Sequence, residues 1–192
     1  ACTHTHTAPN TLNFNGANGL LQKEDGYLDG LEDKLVAVAK AALDDLEPVR
    51  VASAEKCANV NVNRREIGRM AQVNDLAAPT GLVDDALGML FVKQMKSAKT
   101  SVLINYAAHP LAMGKSSTGA ISADFPGELS RILEARGYKS ALVLQGAAGN
   151  LNVKVSGGIA ECEQVGAILA DVVAEADDID EYDPFFLAMR TE

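Results

Sequence analysis

Three histidines are the only imidazoles in this 192-residue chain: His4, His6 and His109. A single Thr separates His4 from His6. In an extended segment, residues i and i+2 point to the same face, so the two rings would share one side. That arrangement suits a metal site or a proton-transfer pair, because neutral imidazole is the commonest metal ligand and titrates near neutral pH. His109 follows the apolar run Val102 to Tyr106 and precedes Pro110. This predicts a position at the C-terminal end of a buried strand, where α/β proteins usually place their sites. A His-x-His pair alone is a weak signal, and three surface histidines would give the same pattern.

The elements expected to hold these residues follow from periodicity and breakers. Thr7 to Gly19 is rich in Asn and Gly and reads as a loop. Between Gly26 and Leu46, apolar residues recur every three or four positions (Leu28, Leu31, Leu35, Val38, Ala42, Leu46), which predicts a helix stopped near Pro48. Val49 to Ala54 and Val60 to Asn63 read as strands, and Met70 to Gly81 as a loop. The apolar runs Ala86 to Met95 and Ser101 to Ala107 read as a hairpin around Lys96 to Thr100. Asp124 to Arg136 reads as a helix with Ala123 or Asp124 at its cap, Pro126 in the first turn and Gly137 as its stop. Ala141 to Leu144 reads as a buried strand before the glycine-rich turn Gly146 to Gly149, Gly158 to Ala176 as a second long helix, and Phe185 to Met189 as a last strand.

Strands and helices alternate, so the expected class is α/β, a mixed β-sheet flanked by helices. The length suits one domain with a real core, and 1–192 reads as a single domain. The chain opens inside a motif without a Met, and a strand is expected at its very end. Both features suggest a processed or truncated piece of a larger catalytic domain. The net charge of -9 argues against a nucleic-acid partner, which would need a basic face. No segment reaches the ~18 apolar residues of a transmembrane helix. Three cysteines without CxxC spacing (Cys2, Cys57, Cys162) form neither a disulfide framework nor a zinc ribbon.

Five ordered motifs give the chain a family likeness. Thr3-His4-Thr5-His6-Thr7-Ala8-Pro9 resembles the Thr-His-Thr-His motif of the neutral/alkaline, non-lysosomal ceramidases. Asn63-Arg64-Arg65, Asn105 to Pro110, Ile121 to Gly127 and Leu144 to Asn152 resemble that family's later motifs in the same order. The resemblance implies zinc-dependent hydrolysis of an N-acyl amide in a small-molecule or lipid-like substrate. It makes His4 and His109 ligands of one Zn2+, and His6 a neighbour that positions substrate or moves protons. Arg64 takes the place of an arginine facing the reacting centre. The remaining ligands, a Glu in a Pro-Gly-Glu motif and a Tyr, are expected from sequence after Glu192. A secreted or periplasmic location is compatible with the family.

Read as chemistry, amide hydrolysis needs a strong nucleophile and charge stabilisation at the carbonyl oxygen. Zinc supplies both by bringing the pKa of water towards ~7 and polarising the carbonyl. His6 is then suited to carry a proton to the leaving amine, and Arg64 to stabilise the oxyanion. Without the family, a surface ion pair accounts for Arg64 as well. Two departures stand out. Asn152 occupies the place of an active-site Ser, and as an amide it donates to an oxyanion but cannot attack. Asn150 replaces an Asp and removes a charge. These put ceramide itself in question and leave two competing readings: a non-catalytic remnant or binding domain of the same fold, and a metal hydrolase of another ester or amide.

Overall fold

A computed structural model describes residues 2–16, 19–21, 23–65, 81–114, 119–177 and 182–185. The expected loop over 70–80 and residues 186–189 of the expected last strand lie outside them. The chain divides into two compact units, Ala8–Glu47 and the combination of Ala1–Thr7 with Pro48–Glu192.

In the smaller unit, Phe14–Gly16 (β1) and Gly19–Leu21 (β2) pair antiparallel inside and just beyond the stretch expected to be loop. The single helix expected over 26–46 is two: Asp25–Leu28 (α1) and Leu31–Asp44 (α2). The break falls at Asp29-Gly30, where two poor helix formers adjoin. The apolar period marks the helix correctly without marking burial, since Leu35 and Val38 on α2 are 61% and 68% exposed.

The larger unit contains Val49–Cys57 (β3), Asn61–Asn63 (β4), Ala86–Gln94 (β5), Thr100–Tyr106 (β6), Asp124–Ala135 (α3), Ala141–Gln145 (β7), Leu151–Val153 (β8), Ile159–Ala176 (α4) and Asp183–Phe185 (β9). Its main sheet has the order β7-β6-β5-β3-β9. Strands β5 and β6 form the expected antiparallel hairpin, with Leu90 opposite Leu103. Strands β6 and β7 run parallel, with Tyr106 opposite Gln145. The sheet is therefore mixed and the class α/β, as the alternation of elements implied. A second, two-stranded sheet joins β4 to β8.

Side-chain alternation fixes which sheet face is covered. Leu87, Met89 and Phe91 of β5 and Val102, Ile104 and Tyr106 of β6 are buried. They cluster with Leu129 and Leu133 of α3 and Val165, Leu169 and Val173 of α4. Burying each such Leu, Val or Phe contributes roughly 1.5–3 kcal/mol. Residues of the opposite parity, such as Leu90, Leu142 and Leu144, are exposed. Tyr106 belongs to this core, its hydroxyl donating to the Ala58 carbonyl. Cys162 is buried in the core too, and burial followed by the Asp124 charge pushes its thiol up to about 12.

Helices α3 and α4 approach closely because Gly166 lacks a side chain. A Cβ there would lie 2.9 Å from Glu128 Cβ and 3.0 Å from Leu129 N. Gly166→Val is therefore expected to cost about 1–3 kcal/mol by overpacking, although Val is the better helix former. Urea denaturation measures this, and an unchanged midpoint would show that the helices do not need that contact.

Candidate metal centre

The five strands of the main sheet do not themselves hold the histidines. His109 lies three residues beyond Tyr106 and is seated by backbone pairing to β8. Its N–H donates to the Leu151 carbonyl at 2.8 Å, and it forms a parallel bridge with Asn152. Strand β8 in turn pairs with β4, Val62 opposite Asn152. Val60 to Asn63 reads as a strand from its alternation, and in the strand Asn61, Val62 and Asn63 are all buried. The two asparagines are tolerated there because their amides serve the backbone. Asn61 Nδ2 donates to the Ala107 carbonyl at 2.7 Å, and Asn63 Nδ2 to the Leu82 carbonyl at 2.7 Å.

His109 is 7% exposed, and its ring orientation is settled by its neighbours. Nδ1 lies 2.5 Å from the Ala148 carbonyl and 3.2 Å from the Leu151 carbonyl. Carbonyl oxygens only accept, so Nδ1 carries the proton and Nε2 keeps its lone pair.

The loop after His109 is clamped by Asp124. Its buried carboxylate accepts the N–H groups of Ala112 and Met113, both at 3.0 Å, and of Phe125 at 2.7 Å. Helix α3 has Ala123 at its cap position, without a side-chain cap bond. Asp124 thus acts as a loop clamp more than as the cap suggested by its position. Its φ of 58° is left-handed, a conformation that costs a non-glycine residue roughly 1–2 kcal/mol.

His4 and His6 come to His109 by a route that periodicity does not describe. His4 has a φ of 63°, so the segment is kinked and not the extended strand that the i, i+2 argument assumed. The intervening threonines fasten it. Thr5 Oγ1 donates to the Ser122 carbonyl at 2.8 Å, Thr7 Oγ1 to the same carbonyl at 3.1 Å, and Ser122 N–H to the Thr7 carbonyl at 2.9 Å. Ser122 Oγ also accepts the Asp124 N–H at 2.9 Å, joining this tether to the clamp. Nothing in the sequence beyond the Thr-x-Thr-x-Thr alternation signalled these anchors.

The three rings meet. Centroids of His4 and His6, and of His4 and His109, are 5.0 Å apart, and those of His6 and His109 are 5.6 Å apart. One ring nitrogen from each lies within 4.8 Å of the others. Hydrolytic zinc sites usually take three protein ligands and leave a fourth position open, and this donor set fits that pattern. Burial is the largest influence lowering the pKa of both His6 and His109. For His6 the positive neighbours His4, His109 and Arg64 add to it, with Asp124 opposing; for His109 Arg64 adds to it, with the Ala148 and Leu151 carbonyls opposing.

A cavity of about 540 Å³ adjoins the rings of His4 and His109, and His6 is not among its described lining residues. Among the described residues it is lined by Cys2, His4, Arg64 and His109, and by the β7–β8 turn through Gln145, Gly146, Ala148 and Gly149. Arg64 is half-buried, and Nε and Nη2 both donate to the Gly149 carbonyl, at 3.2 and 2.8 Å. Its backbone N–H donates to the Asn150 carbonyl at 2.8 Å. Gly146 is required where the turn leaves β7, since a Cβ would lie 3.0 Å from Ala107 N and from Tyr106 C and O. Asn152 is not among the described lining residues. It is half-buried, and its Oδ1 is enclosed without a hydrogen-bond partner among the described residues. The chain also contains a Pro-Gly-Glu run, Pro126-Gly127-Glu128, in the first half of α3. Glu128 pairs with Arg131 at 2.8 Å and is not part of the imidazole group.

No protein-family model matches this chain, and no curated protein matches it in sequence. Its fold does match solved structures. The neutral ceramidase from Pseudomonas aeruginosa aligns with a TM-score of 0.70 and 19% identity, over 91% of this chain and 30% of that one. A ceramidase complexed with C2 aligns with a TM-score of 0.68 and 18% identity, over 91% of this chain and 29% of that one. The chain thus spans about 30% of the length of the structures it matches, and what it shares with that part is the fold.

The pKa shifts fix a pH dependence. Folded His6 and His109 bind protons less readily than the unfolded chain, whose imidazoles titrate near 6.5. Above that value both states are neutral and nothing is lost. As pH falls through it towards the lower folded values, the unfolded state gains protons first and stability drops. Urea unfolding of the metal-free protein should show a lower midpoint at pH 5.5 than at pH 7.5. In His109→Gln that decrement should shrink, and an equal decrement in the variant would contradict the assignment.

Proposed function

We propose that this chain forms part of a zinc-dependent amidohydrolase that cleaves an N-acyl amide, ceramide-like or otherwise lipid-like. The observation that carries the proposal is the convergence of three imidazole nitrogens within 4.8 Å beside a 540 Å³ cavity. The ceramidase fold of the matched structures supports the same reading. Residues 1–192 are taken together as one piece of that catalytic domain.

Zinc, when bound, supplies the acidity that activates water near neutral pH and the polarisation of the amide carbonyl. In this proposal His4 and His109 hold the ion. His109 does so through Nε2, because Nδ1 is committed to the Ala148 and Leu151 carbonyls. His6, whose pKa is lowered first by burial and then by its neighbours His4, His109 and Arg64, takes a proton from water and passes it to the departing nitrogen. Arg64 meets the developing oxyanion with its remaining donors, its Nε and Nη2 being fixed on Gly149. Asn152 is kept as a further donor through its amide nitrogen. In the net reaction the acyl C–N bond breaks, water oxygen joins the acyl carbon, and a water proton passes to the leaving amine.

A non-catalytic binding domain of the same fold is the competing reading, favoured by the amide at Asn152 where the family has a hydroxyl. Metal content separates the two. Dialysis against zinc followed by elemental analysis should detect bound zinc, held weakly where His4 and His109 are its only protein ligands. His4→Ala and His109→Ala should each lower zinc affinity at least ~10-fold. His6→Ala should retain the ion while losing turnover, and loss of affinity equal to that of His4→Ala would make His6 a third ligand instead. No bound zinc at neutral pH would leave the binding-domain reading.

Catalytic donors are tested separately. Arg64→Ala should lower kcat by about 10²–10³-fold if it serves the oxyanion, with zinc stoichiometry unchanged. Asn152→Ala should lower kcat in the same direction. An unchanged kcat for either variant would reduce that residue to a brace of the β7–β8 turn.

A further inference from the structure

Gln145 is the last residue of β7, opposite Tyr106 at the end of β6. It is half-buried and lines the same cavity as His4, His109 and Arg64. Its Nε2 donates to the Ala108 carbonyl at 2.9 Å. A carbonyl cannot donate, so the amide cannot be turned around without leaving two acceptors facing each other. The orientation is thereby fixed, and Oε1 is the end left over. Among the described residues no hydrogen bond occupies it.

Four backbone acceptors near this cavity are already engaged. The Gly149 carbonyl accepts from Arg64, the Ala148 and Leu151 carbonyls face His109 Nδ1, and the Ala108 carbonyl accepts from Gln145 itself. Arg64 is a donor only. Besides the imidazoles and the Cys2 thiol, the described side chains lining the cavity therefore offer one cationic donor, Arg64, and one oriented neutral acceptor, Gln145 Oε1. A secondary amide presents the complementary pair, a carbonyl acceptor and an adjacent N–H donor. An ester or a tertiary amide has the first and lacks the second.

We propose that Gln145 is a specificity-determining residue that accepts the N–H of a secondary amide through Oε1 and so selects such substrates over esters and tertiary amides. This rests on the amidohydrolase reading above and sharpens its substrate class. Sites built to hydrogen-bond a substrate N–H or O–H reject the analogue lacking it, by as much as 10⁴–10⁵-fold when buried. For a half-buried acceptor the expected discrimination is about tenfold or more, the scale of one net hydrogen bond.

The test separates recognition from turnover by measuring binding and hydrolysis with matched probes. Affinities of the full chain, loaded with zinc, are measured calorimetrically for N-octylacetamide and N-methyl-N-octylacetamide. The wild type should prefer the secondary amide by about tenfold or more. Gln145→Met should abolish the preference while zinc content and Tm stay close to wild type. Equal binding of the two probes by the wild type, or a preference that survives in Gln145→Met, overturns the proposal. If Gln145→Met does not fold, Gln145→Ala takes its place, and a preference that survives there overturns the proposal. Hydrolysis of N-octanoyl-4-nitroanilide is followed in parallel. Selective binding without turnover would overturn the hydrolase reading and leave the role of Gln145 standing.

Discussion

The seating of His109 on β8 is the constraint on which the site depends. One backbone hydrogen bond, from His109 N–H to the Leu151 carbonyl, sets the residue in register with the short strand. The same stretch of chain then supplies the carbonyls that hold Nδ1. Backbone and ring are thus fixed by one neighbour, and the imidazole is left with a single free lone pair. Remove the pairing and both the position and the tautomer are lost together. Strand β8 is only three residues long and is stable here because β4 pairs with it on its other side. The order β4, β8, His109 is therefore a small ladder whose last rung carries an imidazole of the candidate site.

The other two imidazoles are held by different means, and their support converges on the same point. Ser122 receives the hydroxyls of Thr5 and Thr7 on its carbonyl and the N–H of Asp124 on its side chain. Asp124 in turn fixes Ala112 and Met113, just after His109. The segment carrying His4 and the segment carrying His109 are therefore tied to one junction at the start of α3. Both left-handed backbones at this junction, His4 and Asp124, are non-glycine residues. Strain of this kind persists where surrounding contacts over-determine it, and such residues cluster at functional sites. At Asp124 the compensation is visible as three charge-assisted hydrogen bonds, each stronger than a neutral one.

Much of the fold was legible because its main elements are long and periodic. Cap, first-turn Pro and stop Gly placed α3, and apolar spacing placed α4, each within one residue of its observed ends, and the β5–β6 hairpin followed from two apolar runs around a Lys-rich turn. What escaped was short or long-range. Strand β8, Leu-Asn-Val, has no period to read and exists through its partners. The break at Asp29-Gly30 was a local signal outweighed by the longer apolar repeat. At the site, residue type and motif resemblance pointed to His4, His6, His109 and Arg64. The reason given for His4 and His6, strand alternation, differs from the kinked geometry that brings them together. Thr5, Thr7, Ser122 and Gln145 lie within the quoted motifs but carried no sign of their role, because those contacts span more than thirty positions in sequence, as in the 117-residue separation of Thr5 and Ser122. Hydrophobic periodicity describes local structure and burial, and it is silent on which distant backbone a hydroxyl or amide will meet.

The location of the cavity follows from the mixed character of the sheet. Antiparallel neighbours end at opposite sides, so their loops separate. A parallel pair ends at one side, and its two following loops emerge together. In the main sheet β6 and β7 are the parallel pair, ending at Tyr106 and Gln145. The chain after β6 carries His109, and the chain after β7 carries the turn that supplies the Ala148 carbonyl and the Gly149 anchor for Arg64. Gly146 lets this turn pass close to the end of β6, where a side chain would collide with backbone. The two loops are thereby brought into hydrogen-bonding contact, with Gly146 N–H donating to the Tyr106 carbonyl at 2.9 Å. A mixed sheet with one parallel step thus creates a single edge where a ring, a guanidinium and an oriented amide can face the same space. Helices α3 and α4, covering one face of the sheet, give that edge the rigid backing a preorganised site requires.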